Sequence, residues 1–114
     1  MKRYVIKKIA GAEISTRAMR EYENAIDAFI ADGMNYKPDE LGSYESREQA
    51  LEALKEHRCT VKAMTSYGVL VAVDECDKPK FYEADMVYID EQEYDEDFES
   101  WESTGECEFA EVEM

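Results

Sequence analysis

The stretch KFYEADMVYIDEQEYDEDFESWE, residues 80–102, contains a clear strand signal followed by the most unusual charge pattern of the chain. In residues 80–89, apolar side chains alternate with Glu83 and Asp85, and this period of two is typical of a β-strand. Residues 90–102 follow with eight acidic side chains in thirteen positions and no basic residue. The stretch therefore predicts a sheet strand that leads directly into a polyanionic segment.

The negative charge of the whole chain is concentrated towards its C-terminal end. The 114 residues carry a formal net charge of −15. All 13 Lys and Arg residues lie in residues 1–80, where 14 Asp and Glu residues nearly balance them, whereas residues 81–114 hold 14 acidic residues and no base. Nucleic acids and anionic membranes are bound through basic surfaces. Direct binding to either is therefore disfavoured, and a basic partner is expected.

Hydrophobic periodicity predicts two helices and three further strands. The first helix begins at Ser15 or Thr16, either of which can cap the free amides, and ends before Gly33. The second begins at a capping box of Ser46 and Gln49. We expect helices at residues 16–32 and 47–58, and strands at residues 3–9, 59–65, 69–73 and 80–89. The strand at 69–73 is apolar on both faces, which indicates a central position.

These elements predict an α+β fold, in the order β-α-α-β-β-β, with helices on one face of a mainly antiparallel sheet. A chain of 114 residues is the size of a single small domain and can bury one core without disulfides. We expect the first strand to end at Gly11 and to lie at one side of the sheet, and residues 41–44 to form a brief edge strand. The chain divides into a core domain, residues 1–89, and an acidic extension with aromatic residues, 90–114, docked in part on the core.

The acidic extension is compatible with more than one local structure. Tyr94, Phe98 and Trp101 are spaced as one stripe of a helix, but like-charged pairs four residues apart each cost such a helix about 0.2–0.5 kcal/mol. The helix would therefore need its aromatic stripe docked on the core. Residues 104–114 alternate Glu with apolar residues and slip in phase at Ala110, which fits either a strand with a bulge or a solvated tail.

The acidic residues have two interpretations. In the first, they form a solvated face that serves solubility. In the second, their carboxylates imitate phosphates and occupy the channel of a basic, nucleic-acid-binding protein. Acids two positions apart on a strand lie about 6.6–6.8 Å apart; Glu83/Asp85, Glu106/Glu108 and Glu111/Glu113 have this spacing, and a docked helix with Asp95, Glu96, Glu99 and Glu102 would add a second row. We assign partner binding to Glu83, Asp85, Asp90, Glu91, Glu93, Tyr94, Asp95, Glu96, Asp97, Phe98, Glu99, Trp101 and Glu102.

In size, acidity and compactness, the chain resembles DNA-mimic inhibitors of phages and mobile elements, such as anti-restriction and anti-CRISPR proteins. The resemblance covers no diagnostic motif, and it implies a small, non-catalytic inhibitor in the cytoplasm. The alternative is a mobile-element accessory or adaptor domain whose acidity serves only solubility. Its recognition surface would lie elsewhere, for example in residues 33–44.

Catalysis and metal binding have little support in the sequence. His57 is the only histidine, and it lies two residues from Cys59, a spacing at which helical side chains do not face each other. An EF-hand loop starting at Asp95 would place Ser100 at the sharp turn that needs glycine. No CxxC or HxxxH pair suggests zinc, and no glycine-rich phosphate loop is present. We therefore expect no enzyme and no cofactor, and a small enzyme or a cation-binding protein is a third, weaker class.

The cysteine content and the absence of long apolar segments predict a cytoplasmic location. The three cysteines are an odd number without CxxC spacing, which fits a reducing compartment. The apolar run near the N-terminus is interrupted by Lys7 and Lys8 after three residues, unlike a signal peptide. No stretch approaches the ~20 apolar residues that cross a bilayer.

Overall fold

The longest strand, β5 (Phe81–Asp95), lies inside a seven-stranded and mainly antiparallel sheet. The computed structural model describes residues 1–22, 24–32 and 36–113. The other strands of this part are β1 (Lys2–Ile14), β2 (Asp39–Tyr44), β3 (Cys59–Met64), β4 (Leu70–Ala72), β6 (Ser100–Phe109) and β7 (Val112–Glu113). The helices are α1 (Thr16–Glu21), α2 (Ala25–Asp32) and α3 (Arg47–Leu54), and Val73–Glu75 form a short 3-10 turn. The predicted α+β class with a mainly antiparallel sheet is confirmed.

The strand order is β2-β1-β5-β3-β4, and β5 organises it. On one side, β1 pairs with β5 from Lys2 opposite Glu93 to Ile14 opposite Tyr82. On the other side, β3 pairs with the first part of β5 and β6 pairs with the second part. The last strand, β7, runs parallel to β3 on its other edge. The predicted boundary between residues 89 and 90 therefore falls inside a continuous strand.

Both faces of β5 are covered. The five consecutive residues Met86–Asp90 are all buried. Successive side chains of a strand point to opposite faces, so an unbroken buried run requires packing on each of them. The core on the two sides includes Ile6, Ile9, Ile14, Phe29, Leu54, Val61, Val87 and Ile89.

The helices are divided between the two faces. Tyr88 and Phe109 lie opposite each other on β5 and β6, and the ring of Phe109 contacts Phe29 of α2 with 5.9 Å between centroids. The preceding residue of β6, Glu108, points to the other face and forms an ion pair with Arg47 at the start of α3. We call these sides the α2 face and the α3 face. The sequence predicted helices on one face only. Periodicity shows which side of a helix is apolar, but it does not show which face of the sheet that side covers.

The single helix predicted at residues 16–32 is wrong, since two short helices occupy this segment. Ser15 caps α1 as expected, its Oγ accepting a hydrogen bond from the Ala18 amide at 3.1 Å. Tyr22 is extended, with φ −111° and ψ 142°, and ends α1. Asn24 then accepts from the Asp27 amide at 2.9 Å, the geometry of a new N-cap. The apolar stripe continues across this break, which is why periodicity alone missed it.

Gly11 does not end the first strand as predicted. The register of β1 against β5 shifts between Ile9 and Ala12, and β1 continues to Ile14. Gly11 has φ 68°, a left-handed conformation that glycine adopts without strain, and its amide donates to Asp85 Oδ1 at 2.8 Å. The glycine therefore makes a bulge. β1 also lies between β2 and β5 instead of at one side of the sheet.

The predicted central strand at residues 69–73 is also wrong. β4 covers only Leu70–Ala72 and lies at the end of the strand order, with Val69 55% and Leu70 39% exposed. Short apolar runs do not distinguish a central strand from an edge strand.

At the opposite end of the order, the brief edge strand predicted at 41–44 is present as β2. Gly33, expected to end the first helix, lies outside the described residues.

Two further local signals, the cap at Ser46 and the phase slip at Ala110, are confirmed. Ser46 Oγ accepts from the Gln49 amide at 3.2 Å and caps α3, although this helix ends at Leu54 and not at residue 58. The phase slip at Ala110 separates β6 from β7, and the Ala110 amide donates to the Val87 carbonyl at 2.9 Å. The segment that could have been a solvated tail is therefore paired with the sheet as far as Glu113.

Asp90 joins three strands through one buried carboxylate. The residue is 3% exposed. Its Oδ2 lies 2.9 Å from Lys7 Nζ of β1 and accepts from Gln92 Nε2 at 3.0 Å, and its Oδ1 accepts from Ser103 Oγ of β6 at 2.6 Å. Burial alone would raise the pKa of Asp90, but the hydrogen bonds from Ser103, Gln92 and Lys7 outweigh it and hold the pKa below its ordinary value.

We expect Asp90→Asn to destabilise the protein by about 2–3 kcal/mol at pH 7, because it leaves Lys7 without its anion in a half-buried position. The folded-state pKa of Asp90 is depressed, so its contribution is present above the unfolded-state pKa and lost as the pH falls through the folded-state value. Urea denaturation at several pH values measures this contribution. The stability gap between wild type and Asp90→Asn should begin to narrow near pH 3.8, the ordinary pKa of an Asp side chain, and close as the pH falls through the lower folded-state pKa.

The exposed Asp77→Asn provides the matched control, since it removes one carboxylate that makes no hydrogen bond in the described part of the chain. We expect a stability change within about 0.5 kcal/mol for this variant. A gap between wild type and Asp90→Asn that stays constant from pH 7 to pH 2 would contradict the assignment.

Candidate functional site

The polyanionic segment is a β-hairpin. It consists of the outer part of β5 and all of β6, and we call residues 90–109 the acidic hairpin. Tyr94 lies opposite Trp101, Asp95 opposite Ser100, and residues 96–99 form the turn between them. The predicted aromatic stripe of a helix is therefore wrong. A strand places successive acids on opposite faces, whereas a helix would have aligned like charges at four-residue spacing.

The turn of the acidic hairpin is fixed by one of its own carboxylates. Asp95 Oδ1 accepts from the Asp97 amide at 2.9 Å and from the Phe98 amide at 3.4 Å, which is the Asx-turn pattern. Glu99 closes the turn with φ 50°, the left-handed conformation that four-residue hairpin loops use before the second strand. Asp95 thus has a structural role that the sequence interpretation did not give it.

The end of the acidic hairpin extends beyond its neighbour β1. The last contacts with β1 are the pairing of Lys2 with Glu93 and a hydrogen bond of 3.0 Å from the Tyr94 amide to the Met1 carbonyl. Beyond this point, the hairpin continues as two strands and a turn. We call residues 93–102 the acidic tip; it holds six acidic residues in ten: Glu93, Asp95, Glu96, Asp97, Glu99 and Glu102.

The carboxylates of the acidic tip differ from those closer to the core. Within residues 1–22, 24–32 and 36–113, no ion pair reaches any of the six. Nearer the core, Lys2 Nζ lies 3.1 Å from Glu91, Lys7 pairs with Asp90, and Arg47 pairs with Glu108. Three of the four acids of the inner hairpin therefore form ion pairs, the exception being Glu106, whereas none of the six acids of the acidic tip forms one within the described residues.

The structure separates the predicted partner-binding residues into three groups. Asp90 is buried in its hydrogen-bond network, and Glu91, with 17% of its side chain exposed, is held by Lys2. Glu83 and Asp85 lie near the start of β5, and ten residues of strand put Asp85 about 33 Å from Asp95. The remaining nine residues lie together in the acidic tip: Glu93, Tyr94, Asp95, Glu96, Asp97, Phe98, Glu99, Trp101 and Glu102.

The three rings of the acidic tip have different environments. Tyr94 and Trp101 are half-buried on the α2 face and pack edge-to-face with 5.3 Å between centroids. Arg3 lies over the Trp101 ring at 4.5 Å, and its Nε donates to Gln92 at 2.8 Å, which links these rings to the network around Asp90. Phe98, in the turn, is 76% exposed.

Glu93 and Glu102 lie directly opposite each other on the α3 face, and both are exposed. Side chains in such a cross-strand pair have Cβ atoms about 4.5–5.5 Å apart, and like charges in this position are destabilising. Sequence reasoning missed the pair, because it depends on the register of a hairpin whose turn was not recognised. The turn signal was the Asp95 side chain, which was instead read as part of a charge run.

The described residues contain no cluster of three or more His, Cys, Asp or Glu side chains arranged to hold a metal ion. Cys59 is buried, its Sγ lies 3.3 Å from the Val87 amide, and burial raises the pKa of its thiol. A thiol in this environment is a poor nucleophile. Among the described helices, none combines the length and apolar character needed to cross a bilayer.

Comparisons with protein-family models, curated proteins and solved structures found no match to this chain.

We expect Glu102→Lys to stabilise the protein by about 0.5–1 kcal/mol at low ionic strength, because it converts a repulsive cross-strand pair with Glu93 into an attractive one. Urea denaturation in 20 mM and 500 mM NaCl measures the gain. The gain should shrink at the higher salt, since exposed charges are screened there.

Glu102→Gln is the control that removes the repulsion without adding attraction. We expect its free energy of unfolding to lie between those of wild type and Glu102→Lys. If Glu102→Lys were no more stable than wild type at low salt, the strands would not have the register that places these two carboxylates together.

Proposed function

We propose that this protein is a non-catalytic, acidic binding module that imitates nucleic acid and blocks the basic surface of a nucleic-acid-binding protein. The observation that carries the proposal is the acidic tip, where six carboxylates in ten residues have no ion pair in the described part of the chain. An inhibitor of the anti-restriction or anti-CRISPR type, of phage or mobile-element origin, would act in this way.

The spacing of the acids supports this proposal. Glu93 and Asp95 follow each other on one face of β5 at about 6.6–6.8 Å, and Glu102 stands opposite Glu93 on β6. These three carboxylates form a cluster on the α3 face. Duplex DNA carries one negative charge per ~1.7 Å of axis, and proteins that bind it present Lys and Arg to match. A basic channel would therefore attract the acidic tip over a distance and bind it in a salt-dependent manner.

The energetic penalty of the acidic tip also supports a binding role. Glu93 and Glu102 repel each other across the strands, and Lys2, which lies opposite Glu93 on β1, forms its ion pair with Glu91. Solubility requires net charge but not charge in repulsive register. A basic partner would relieve this repulsion on binding, so the same carboxylates that weaken the free hairpin would favour the complex.

A second candidate is an accessory or adaptor domain whose acidity serves only solubility. Its support is an exposed apolar group at the turn between β3 and β4, where Tyr67 is 92% and Val69 55% exposed next to Leu70. Met64, before this turn, pairs with Phe81, at the start of β5, so this group lies far from the acidic tip. In an adaptor, this surface would bind the partner and the acids would be dispensable.

The decisive experiment is affinity capture from a bacterial lysate in 50 mM and 500 mM NaCl, with mass spectrometry of the retained proteins. We expect wild type to retain nucleic-acid-binding proteins at low salt and to release them at high salt or on addition of competing nucleic acid. Neutralising five tip acids without touching the turn-capping Asp95 should reduce this retention at least tenfold: Glu93→Gln, Glu96→Gln, Asp97→Asn, Glu99→Gln and Glu102→Gln.

A matched control removes the same number of charges from exposed positions outside the acidic hairpin: Glu13→Gln, Glu45→Gln, Glu56→Gln, Glu75→Gln and Asp77→Asn. This control should bind like wild type, because its acidic tip is intact. Equal losses in both variants would indicate that net charge alone matters. Unchanged capture by the tip variant, with loss on Tyr67→Ser, would favour the adaptor.

A further inference from the structure

Phe98 is the one ring of the acidic tip that the fold does not use. Tyr94 and Trp101 pack against each other, and Trp101 also against Arg3, so their loss would disturb the hairpin. Phe98 is 76% exposed in the turn. A single exposed apolar residue needs no explanation on most surfaces. Its position here is informative, because the ring lies between two acidic residues at the end of a projecting hairpin.

The backbone presents Phe98 in a defined orientation. The Phe98 amide and the Asp97 amide both donate to Asp95 Oδ1, and Glu99 holds a left-handed conformation immediately after it. The turn lies beyond the last contact of the hairpin with β1 at Met1. The ring is thus carried on an ordered turn that a groove in another protein can reach without a clash against the core sheet.

The order anion, ring, anion distinguishes two kinds of nucleic acid. In a duplex, the bases are stacked inside and the phosphates are presented outside, so a duplex mimic needs carboxylates and has no use for a projecting ring. In a single strand, each base is accessible between its two phosphates. Proteins that bind single strands combine a basic groove with aromatic side chains on which successive bases stack. Asp97, Phe98 and Glu99 present this combination of groups.

We propose that the acidic tip imitates single-stranded nucleic acid, with the Phe98 ring taking the place of a base on an aromatic side chain of the partner's groove. The partner is therefore a single-strand-binding protein with a basic groove and stacking aromatics. This inference rests on the proposed function, and it adds the class of partner. The carboxylates attract the partner, and the ring stacks on an aromatic side chain that a purely basic surface does not have.

Displacement of a fluorescent dT oligonucleotide from an OB-fold single-strand-binding protein tests this inference by fluorescence anisotropy. Wild type should displace the oligonucleotide in 50 mM NaCl. Stacking contributes about 1–3 kcal/mol per base, so Phe98→Ala should require at least about fivefold more protein for the same displacement. Phe98→Trp should retain or improve the activity, because a larger ring stacks as well or better.

Phe98→Leu separates stacking from simple burial, since it keeps an apolar side chain without a ring. It should be nearly as weak as Phe98→Ala, and activity equal to wild type would overturn the stacking role. All Phe98 variants should unfold at the wild-type urea midpoint, because the side chain is exposed. Wild type should displace labelled duplex DNA from a basic duplex-binding protein far less effectively than it displaces dT.

Failure of this inference is distinguishable from failure of the proposed function. If the five-charge tip variant lost displacement while Phe98→Ala matched wild type, the acidic tip would be a binding surface and the single-strand inference would be wrong. The same conclusion would follow if wild type displaced duplex DNA from the duplex-binding protein but did not displace dT from the single-strand-binding protein. If wild type displaced neither nucleic acid from these proteins and captured no basic protein from lysate, both proposals would be wrong.

Discussion

The structure depends on keeping the buried carboxylate of Asp90 ionised. A buried charge is tolerated only when it is paired and hydrogen-bonded, and Asp90 meets this condition with Lys7 of β1, Gln92 of its own strand and Ser103 of β6. The partners belong to three neighbouring strands, so satisfying the charge fixes their relative positions. The same contact that neutralises Asp90 therefore makes the acidic hairpin part of the sheet. A two-stranded ribbon alone is marginally stable in water, so this network adds to the pairing of β5 with β1 in holding the hairpin in the sheet.

This anchor explains how charge is distributed along the hairpin. The ion pairs of β1 reach the inner residues of β5: Lys7 pairs with Asp90 and Lys2 with Glu91. Arg3 contacts Gln92 and the Trp101 ring. Lys2, the first residue of β1, lies opposite Glu93, and the described residues pair no strand with β5 beyond it on this side. A helix over the same residues would have spread the acids around its circumference, whereas the hairpin gathers Glu93, Asp95 and Glu102 on the α3 face.

Sequence reasoning identified what local chemistry determines. The strand signal around Ala84 and Met86, the caps at Ser15 and Ser46, and the phase slip at Ala110 each depend on a few adjacent residues, and each is present in the structure. The features that it missed depend on tertiary partners. The break at Tyr22 interrupts a continuous apolar stripe, the edge position of β4 depends on which strands pair, and the rings of Tyr94 and Trp101 fit a helical spacing as well as a cross-strand pair. For the candidate site, the sequence located the acidic segment but not which of its acids are exposed together at the tip. Asp90 is held in the sheet by Lys7 and Ser103, and Asp85 accepts a hydrogen bond from the Gly11 amide, and neither contact can be read from the sequence.

The two rings held inside the tip and the one ring outside it have complementary consequences for recognition. Arg3 and the Tyr94–Trp101 pair occupy the α2 face of the hairpin, so that face offers a partner a mixed surface of cation and aromatic rings. The α3 face offers carboxylates, and the turn offers Phe98. A uniformly basic partner would gain only from the carboxylates, and any strong cationic surface would serve equally well. In the proposed function, selectivity among basic proteins would come from the apolar element that projects with the charge, because attraction alone does not discriminate between channels of the same sign.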